Sequence, residues 1–203
     1  MSVEQAIIAQ AQKLFDVCGV TLCGADSLLI LGLVTNPRRD LDDFGRNKRG
    51  VIQLGGFKAH ALPKLQALVD FIQGKGLAAQ IIGRCGYPQG KKLNLKQQAV
   101  VAGIGGWGKN SLVIHPKFGP WLRFMAVRVS GVILPPTNPA GNSRQESPLC
   151  QGCTACIDAC PLSIIEPYYL PDSGRCLAIF DNLPQAGKLV ACDLCLVACP
   201  YGG

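Results

Sequence analysis

Eight of the eleven cysteines in this 203-residue chain fall between Cys150 and Cys199. Cys150, Cys153, Cys156 and Cys160 are spaced C-x2-C-x2-C-x3-C, with Pro161 directly behind. Cys192, Cys195 and Cys199 repeat the end of that run, with Pro200 behind. Thiols crowded at this density are normally joined in disulfides or bound to metal. A disulfide framework suits small secreted domains. This chain is long, and Met1-Ser2-Val3-Glu4-Gln5 carries neither a basic n-region nor a long apolar core. Four-cysteine zinc sites are built from separated C-x2-C pairs, not from a triple followed by C-P.

The spacing is the ligand pattern of a ferredoxin holding two 4Fe–4S clusters. A cubane presents four irons at the corners of a tetrahedron, and each takes one thiolate. Cysteines three residues apart on a curled loop reach three neighbouring corners, and the fourth ligand comes from elsewhere. In two-cluster ferredoxins the last cysteine of each run crosses to the other cluster. Cys150, Cys153, Cys156 and Cys199 are therefore assigned to one cluster. The second run is incomplete, because Leu189 stands where its first cysteine would be. Cys176 replaces it, so the second cluster takes Cys160, Cys176, Cys192 and Cys195. The stretch between Cys176 and Cys192 is then an insertion.

The formal net charge is +7 with cysteines counted as neutral. Eight thiolates and two oxidised cluster cores would bring it to roughly +3. The apparent basicity mostly offsets the cofactor. Arg38-Arg39, Arg46, Lys48-Arg49 and Lys91-Lys92 are scattered among acids, which is the pattern of a solvated surface rather than a nucleic-acid face. No apolar run approaches the roughly 18 residues of a membrane span. Reduced thiols and clusters point to the cytoplasm.

Two domains fit the length. An α/β (α+β) layered domain is expected over 1–134, a turn-rich linker over 135–147, and a bacterial-type two-cluster ferredoxin-like domain over 148–203. In the first domain Ser2 caps a helix with Gln5 placed for a capping box, and Val3, Ile7, Ala11 and Leu14 mark its apolar face. Leu28 to Val34 reads as a buried strand and Val51 to Leu54 as a short one. Pro63 opens a helix with Leu65, Leu68, Val69 and Ile72 facing inward, ended by Gly74 and Gly76. Strands follow at Leu77 to Ile82 and Leu122 to Val132. Asn94 caps a helix running through Ala102.

Between that helix and the last strand lies Gly103-Ile104-Gly105-Gly106-Trp107-Gly108-Lys109-Asn110-Ser111. It satisfies G-x-G-x-x-G and nearly satisfies the P-loop, except that Asn110 stands where Ser or Thr should bind magnesium. Both motifs should follow a strand and open a helix. This loop follows a helix and precedes a strand-like Ser111 to Ile114. A tight glycine turn passing close to a neighbouring backbone is the favoured reading, and bare backbone beside an indole also suits a flat cofactor.

Three pieces together resemble the epoxyqueuosine reductases. They are Ala102 to Leu112 with Phe118-Gly119-Pro120-Trp121, the run ending Ala159-Cys160-Pro161, and Asp172-Ser173-Gly174-Arg175-Cys176-Leu177 followed by Cys192 to Pro200. The resemblance covers about Ala99 to Tyr201. It implies a cobalamin-binding α/β domain joined to a two-cluster ferredoxin domain that feeds electrons to cobalt. Gly103, Gly105, Gly106, Trp107, Gly108 and Lys109 become candidate residues bordering a corrinoid, and Cys176 matches the family's out-of-register ligand. The chain departs from the family in three ways. Tryptophan sits one place later in the loop. Gln89 stands where the family carries an aspartate. The N-terminal half is shorter, and no C-terminal extension follows Pro200. Transfer RNA is accordingly not an expected partner.

The leftover groups have ordinary readings. Cys18, Cys23 and Cys85 read as free thiols, with Arg84 beside Cys85, and His60 and His115 as packing or surface residues. No catalytic residue is assigned. The expected function is electron transfer from two clusters to a redox partner protein or small acceptor held at the α/β domain. A corrinoid-dependent reductase is the alternative, and a non-enzymatic docking module of a larger redox complex is a third reading.

Overall fold

The computed structural model describes residues 1–35, 39–46, 52–83, 93–171, 175–176, 184–185, 188–189 and 192–202. Its framework is an antiparallel four-stranded sheet in the order β1-β2-β8-β5, with helices on both faces. The strands are β1 (Val17–Cys23), β2 (Asp26–Val34), β5 (Ala78–Gly83) and β8 (Leu122–Ser130). Period-two alternation divides the apolar run of β2 between two cores. Leu29, Leu31 and Leu33 point to one side, and Leu28 and Ile30 to the other. β8 splits likewise, with Met125, Val127 and Val129 opposed to Leu122, Phe124 and Ala126. Both faces are covered, which is why β2 and β8 read as nearly continuous apolar runs.

Helix α1 (Val3–Leu14) starts at the expected capping box, where Gln5 N donates to Ser2 Oγ and Ser2 N donates to Gln5 Oε1. It covers one face of the sheet together with α2 (Leu62–Gln73), whose buried residues are Leu65, Leu68, Val69 and Ile72. A π-helical turn, Phe57–Ala61, leads into α2. Helix α3 (Leu95–Val101) packs Ala99 and Val100 on the opposite face, and the Asn94 side chain caps it by accepting from Gln97 N. The expected strands at Leu28 to Val34, Leu77 to Ile82 and Leu122 to Val132 correspond to β2, β5 and β8. β1 was not expected. Its sequence mixes Gly19 and two cysteines into a short run, and its apolar cover comes from far along the chain.

The segment after β8 is strapped across the edge strand β1. Leu134 N donates to Ser27 Oγ at 2.8 Å. Thr137 N donates to Val20 O at 3.2 Å, while Val20 N donates to Thr137 Oγ1 at 3.1 Å. The Thr137 hydroxyl also donates to Ala102 O at 2.7 Å, tying the strap to the end of α3. An edge that would otherwise invite pairing with another chain is thereby covered.

Three shorter pairings join the cysteine-rich segment to this framework. β6 (Gly106–Trp107) pairs with β7 (Val113–Ile114), and Trp107 also bridges to Glu146. A second sheet runs β4 (Ile52–Leu54), β3 (Phe44–Arg46), β10 (Lys188–Leu189) and β9 (Pro184–Gln185). The insertion between Cys176 and Cys192 thus adds a hairpin to strands from the N-terminal half. Finally, Tyr201 and Gly202 lie against the Phe118–Gly119 turn so closely that a Cβ on Gly119 would strike Tyr201 O. Among the described residues no helix is long and apolar enough to cross a membrane.

Candidate metal centre and glycine loop

The two cysteine runs fold alike. Pro148–Cys150 forms a 3-10 turn, and α4 (Ala155–Asp158) carries Cys156. In α4, Ile157 N and Asp158 N donate to Thr154 O, Ala159 N donates to Ala155 O, and Cys160 N donates to Ile157 O. The second run repeats these bonds residue for residue. Leu196 N and Val197 N donate to Asp193 O, Ala198 N to Leu194 O, and Cys199 N to Leu196 O. Each helical turn ends at the cysteine before a proline, which lacks the N–H to continue it. Thr154 braces the first turn by donating its hydroxyl to Asp158 Oδ2 at 2.7 Å.

All eight cysteines carry free, partly buried thiols. Burial first, then Cys150, Cys153 and Cys199, push the Cys156 thiol up, partly opposed by a backbone N–H. Burial also raises Cys199, opposed by the Tyr201 N–H, with Cys150 and Cys153 adding to the rise. For Cys176 the cause is burial, then Cys192 and Cys160, with Lys96 acting in the opposite direction. Cys195 is pushed up to about 12 by burial and then by Cys176, Cys192, Cys156 and Cys160. The thiols therefore act on one another within two groups. Cys150 and Cys153 act on both Cys156 and Cys199, while Cys160 and Cys192 act on both Cys176 and Cys195. Cys195 feels Cys156 as well, so the groups adjoin.

Thiolates packed this closely repel, and a polycationic centre relieves that repulsion. Two four-thiol groups suit cubane clusters, whose ligands sit on separate corner irons. A zinc ion instead draws its sulfurs to about 2.3 Å from one point. Among the described residues no three His, Cys, Asp or Glu side chains are drawn together closely enough to hold a metal ion.

The candidate corrinoid-bordering residues divide into two sets. Gly103, Gly105 and Gly106 line a groove of about 730 Å³, together with His115, Asn138 and Leu149. Trp107, Gly108 and Lys109 bind the protein itself. Trp107 Nε1 donates to Ser143 O at 2.7 Å, and Lys109 Nζ donates to Cys153 O at 2.8 Å. The main chain joins in, because Trp107 N donates to Gln145 O, Ser147 N to Trp107 O and Tyr168 N to Lys109 O. A Cβ on Gly106 would lie 2.7 Å from Ser147 N and Cα, and one on Gly105 would lie 2.5 Å from Ile114 O. The loop is a clasp between the sheet and the cysteine segment, and it follows α3 rather than a strand, unlike a phosphate-binding loop.

Of the leftover groups, Cys18 lines the groove, and burial pushes its thiol up to about 12. His115 is a packing residue. Its Nδ1 accepts from Lys117 N and Phe118 N, and its ring stacks on Phe118 at 5.0 Å. Burial, then Lys117, hold its imidazole below the usual range. Cys85 and Gln89 lie outside the described residues.

The sequence reading passed over Lys96. Its ammonium donates to Ser111 O at 2.7 Å and lies 5.8 Å from the centre of the Trp107 ring. Burial, then Arg123, hold it below the usual ammonium range, and Cys176 opposes them. One sequence signal pointed to it. It is a cation in the first turn of a helix, where the macrodipole disfavours positive charge.

No protein-family model matches the chain. An epoxyqueuosine reductase of Synechococcus sp. (strain CC9605) is 38% identical over 118 residues, covering 52% of this chain and 35% of that protein. The chain thus spans about a third of that curated relative. A solved epoxyqueuosine reductase from Bacillus subtilis superposes with a TM-score of 0.67 at 19% identity, covering 98% of this chain and 64% of that one. An epoxyqueuosine reductase solved with an epoxyqueuosine-modified tRNA-Tyr stem loop gives 0.64 at 18% identity, covering 98% and 64%. In sequence and in fold the chain is epoxyqueuosine-reductase-like. The expectation that transfer RNA is not a partner is corrected by the third of these. That expectation rested on three departures from the family and on the scatter of the basic residues, whereas the superposed relative was solved with a modified tRNA stem loop.

Proposed function

We propose that this chain is an iron–sulfur oxidoreductase that delivers electrons to an acceptor held against its sheet domain. Its C-terminal portion would be a ferredoxin-like unit. Cys150, Cys153, Cys156 and Cys199 would hold one 4Fe–4S cluster, and Cys160, Cys176, Cys192 and Cys195 the other. Bound clusters would supply single-electron transfer. The single observation that carries the reading is the pair of matching cysteine turns, at Thr154 to Cys160 and at Asp193 to Cys199, within a set of eight free, partly buried thiols. The residues around them hold that arrangement in place. Lys109 fixes the Cys153 carbonyl, the Thr154 turn carries Cys156 and Cys160, and the Asp193 turn carries Cys195 and Cys199.

Anaerobic purification or reconstitution, followed by iron and sulfide analysis, tests this. About eight irons and eight sulfides per chain are expected. Stoichiometric zinc, or an iron-free native protein, would end the reading.

The groove beside Gly103, Gly105 and Gly106 favours a second reading, in which the acceptor is a corrinoid bound there. Titrating the reconstituted protein with cobalamin and following its visible spectrum tests that. No spectral change at high micromolar concentration would leave electron transfer to a different acceptor. The likeness to the RNA-bound reductase supports a transfer-RNA stem loop as a partner. Binding of a tRNA-Tyr stem loop, measured by fluorescence anisotropy, is expected to weaken as salt rises. Absence of binding at low salt would remove RNA from the proposal.

A further inference from the structure

The wall of the groove beside the glycine loop carries no fixed charge. Among the described residues it is lined by no Asp, Glu, Lys or Arg. Its polar side chains are Cys18, His115, Thr137, Asn138, Gln145 and Ser147. Cys18 stays a thiol, since burial pushes it up to about 12. The Thr137 hydroxyl is spent on the strap, between Val20 N and Ala102 O. His115 stays a neutral imidazole for a geometric reason. Its Nδ1 accepts from Lys117 N at 3.0 Å and from Phe118 N at 3.2 Å. A proton on Nδ1 would meet both N–H groups head on, so the ring's single proton sits on Nε2. The turn that holds the ring is itself closed. His115 N donates to Gly119 O at 3.0 Å, and Gly119 N donates to His115 O at 2.8 Å. Among the described residues the Nε2–H has no acceptor.

We propose that the His115 Nε2–H donates to an amide oxygen of the ligand in this groove, and that the groove selects uncharged, amide-bearing ligands over carboxylate-bearing ones. The inference rests on the corrinoid reading above and names the part of the corrinoid that is read, the amide arms on the rim of its ring. An amide oxygen accepts from a neutral imidazole with little desolvation cost. A carboxylate would lose its water against a wall with no cation to receive it. His115 is a poor source of that cation, because a second ring proton would break its two bonds to the turn. The side-chain amides of Asn138 and Gln145 each offer one acceptor and two donors, which suits the same uncharged chemistry.

The test is isothermal titration calorimetry of the reconstituted full chain with cyanocobalamin, comparing wild type, His115→Asn and His115→Gln, with melting temperatures measured alongside. The two variants separate the two ring nitrogens. Asparagine puts an oxygen near the Nδ1 position, where it can accept from the turn, and leaves nothing at Nε2. Glutamine carries an N–H donor out to the Nε2 position and leaves the turn without its acceptor. His115→Asn is expected to bind cyanocobalamin about fivefold more weakly at an unchanged melting temperature. His115→Gln is expected to melt lower and to keep its affinity within about twofold. Cyanocobalamin hydrolysed to carboxylates at its amide arms should bind wild type about tenfold more weakly. Undiminished affinity in His115→Asn, equal losses in both variants, or equal binding of the hydrolysed corrinoid would overturn the inference and leave the corrinoid reading standing. A wild-type chain that binds no cyanocobalamin at high micromolar concentration would end both together.

Discussion

Replacing Cys176 with alanine should halve the iron of the reconstituted protein, from about eight atoms to about four. Cys176 stands far from either C-P run in sequence, yet burial, Cys192 and Cys160 are what raise its thiol. Losing one of four ligands opens a cubane to solvent and to loss of iron. The four thiols assigned to the other cluster are all still present, so it should keep its spectrum. Cys199→Ala provides the mirror experiment. Although Cys199 follows Cys195 closely, Cys150 and Cys153 are the thiols that act on it. Its loss should therefore damage the cluster of the first run and spare the one that Cys195 serves. Unchanged iron in Cys176→Ala would remove it from the ligand set. Damage in Cys199→Ala confined to the Cys192 and Cys195 side would reverse the crossing of the two runs.

How far the sequence could be read depended on the range of each signal. The helix from Leu62 to Gln73 is local, because Leu65, Leu68, Val69 and Ile72 announce one face without help from distant residues. The cap at Asn94 and the capping box at Ser2 are local for the same reason. β2 and β8 were legible because a strand buried on both faces is apolar throughout. β1 was not, since its cover comes from Ala102, Ile104 and the strap at Thr137, all far along the chain. At the site, the glycines of the 103–108 loop advertised a close approach but not its partner. That Gly106 meets Ser147, and that Lys109 meets Cys153, depends on a return of the chain that no window of sequence contains. Lys96 is the plainest example. Its oddity is visible at a helix N-terminus, but the Ser111 carbonyl and the Trp107 ring that receive its ammonium lie outside that helix.

The loop's role as a clasp leads to the second large effect, in Gly106→Ala. The added methyl would sit 2.7 Å from Ser147 N and Cα. Both atoms are backbone, so no side chain can swing away to make room. Either β6 leaves β7, or Ser147 is pushed off Trp107 and the hydrogen bond from Ser147 N to Trp107 O is broken. Overpacking of this kind costs about 1–3 kcal/mol. The displacement would be passed on to Pro148–Cys150, the turn that presents the first thiol of its group. The expected result is a lower melting temperature together with faster loss of iron from the group containing Cys150, Cys153, Cys156 and Cys199. Lys109→Met should act on the same group more mildly, since it removes one hydrogen bond without a steric conflict. If the glycines served only to admit a flat cofactor, Gly106→Ala would weaken cobalamin binding and leave both melting temperature and iron retention untouched. Those two readouts, taken before any cofactor is added, separate a loop that holds the protein together from one that merely lines a groove.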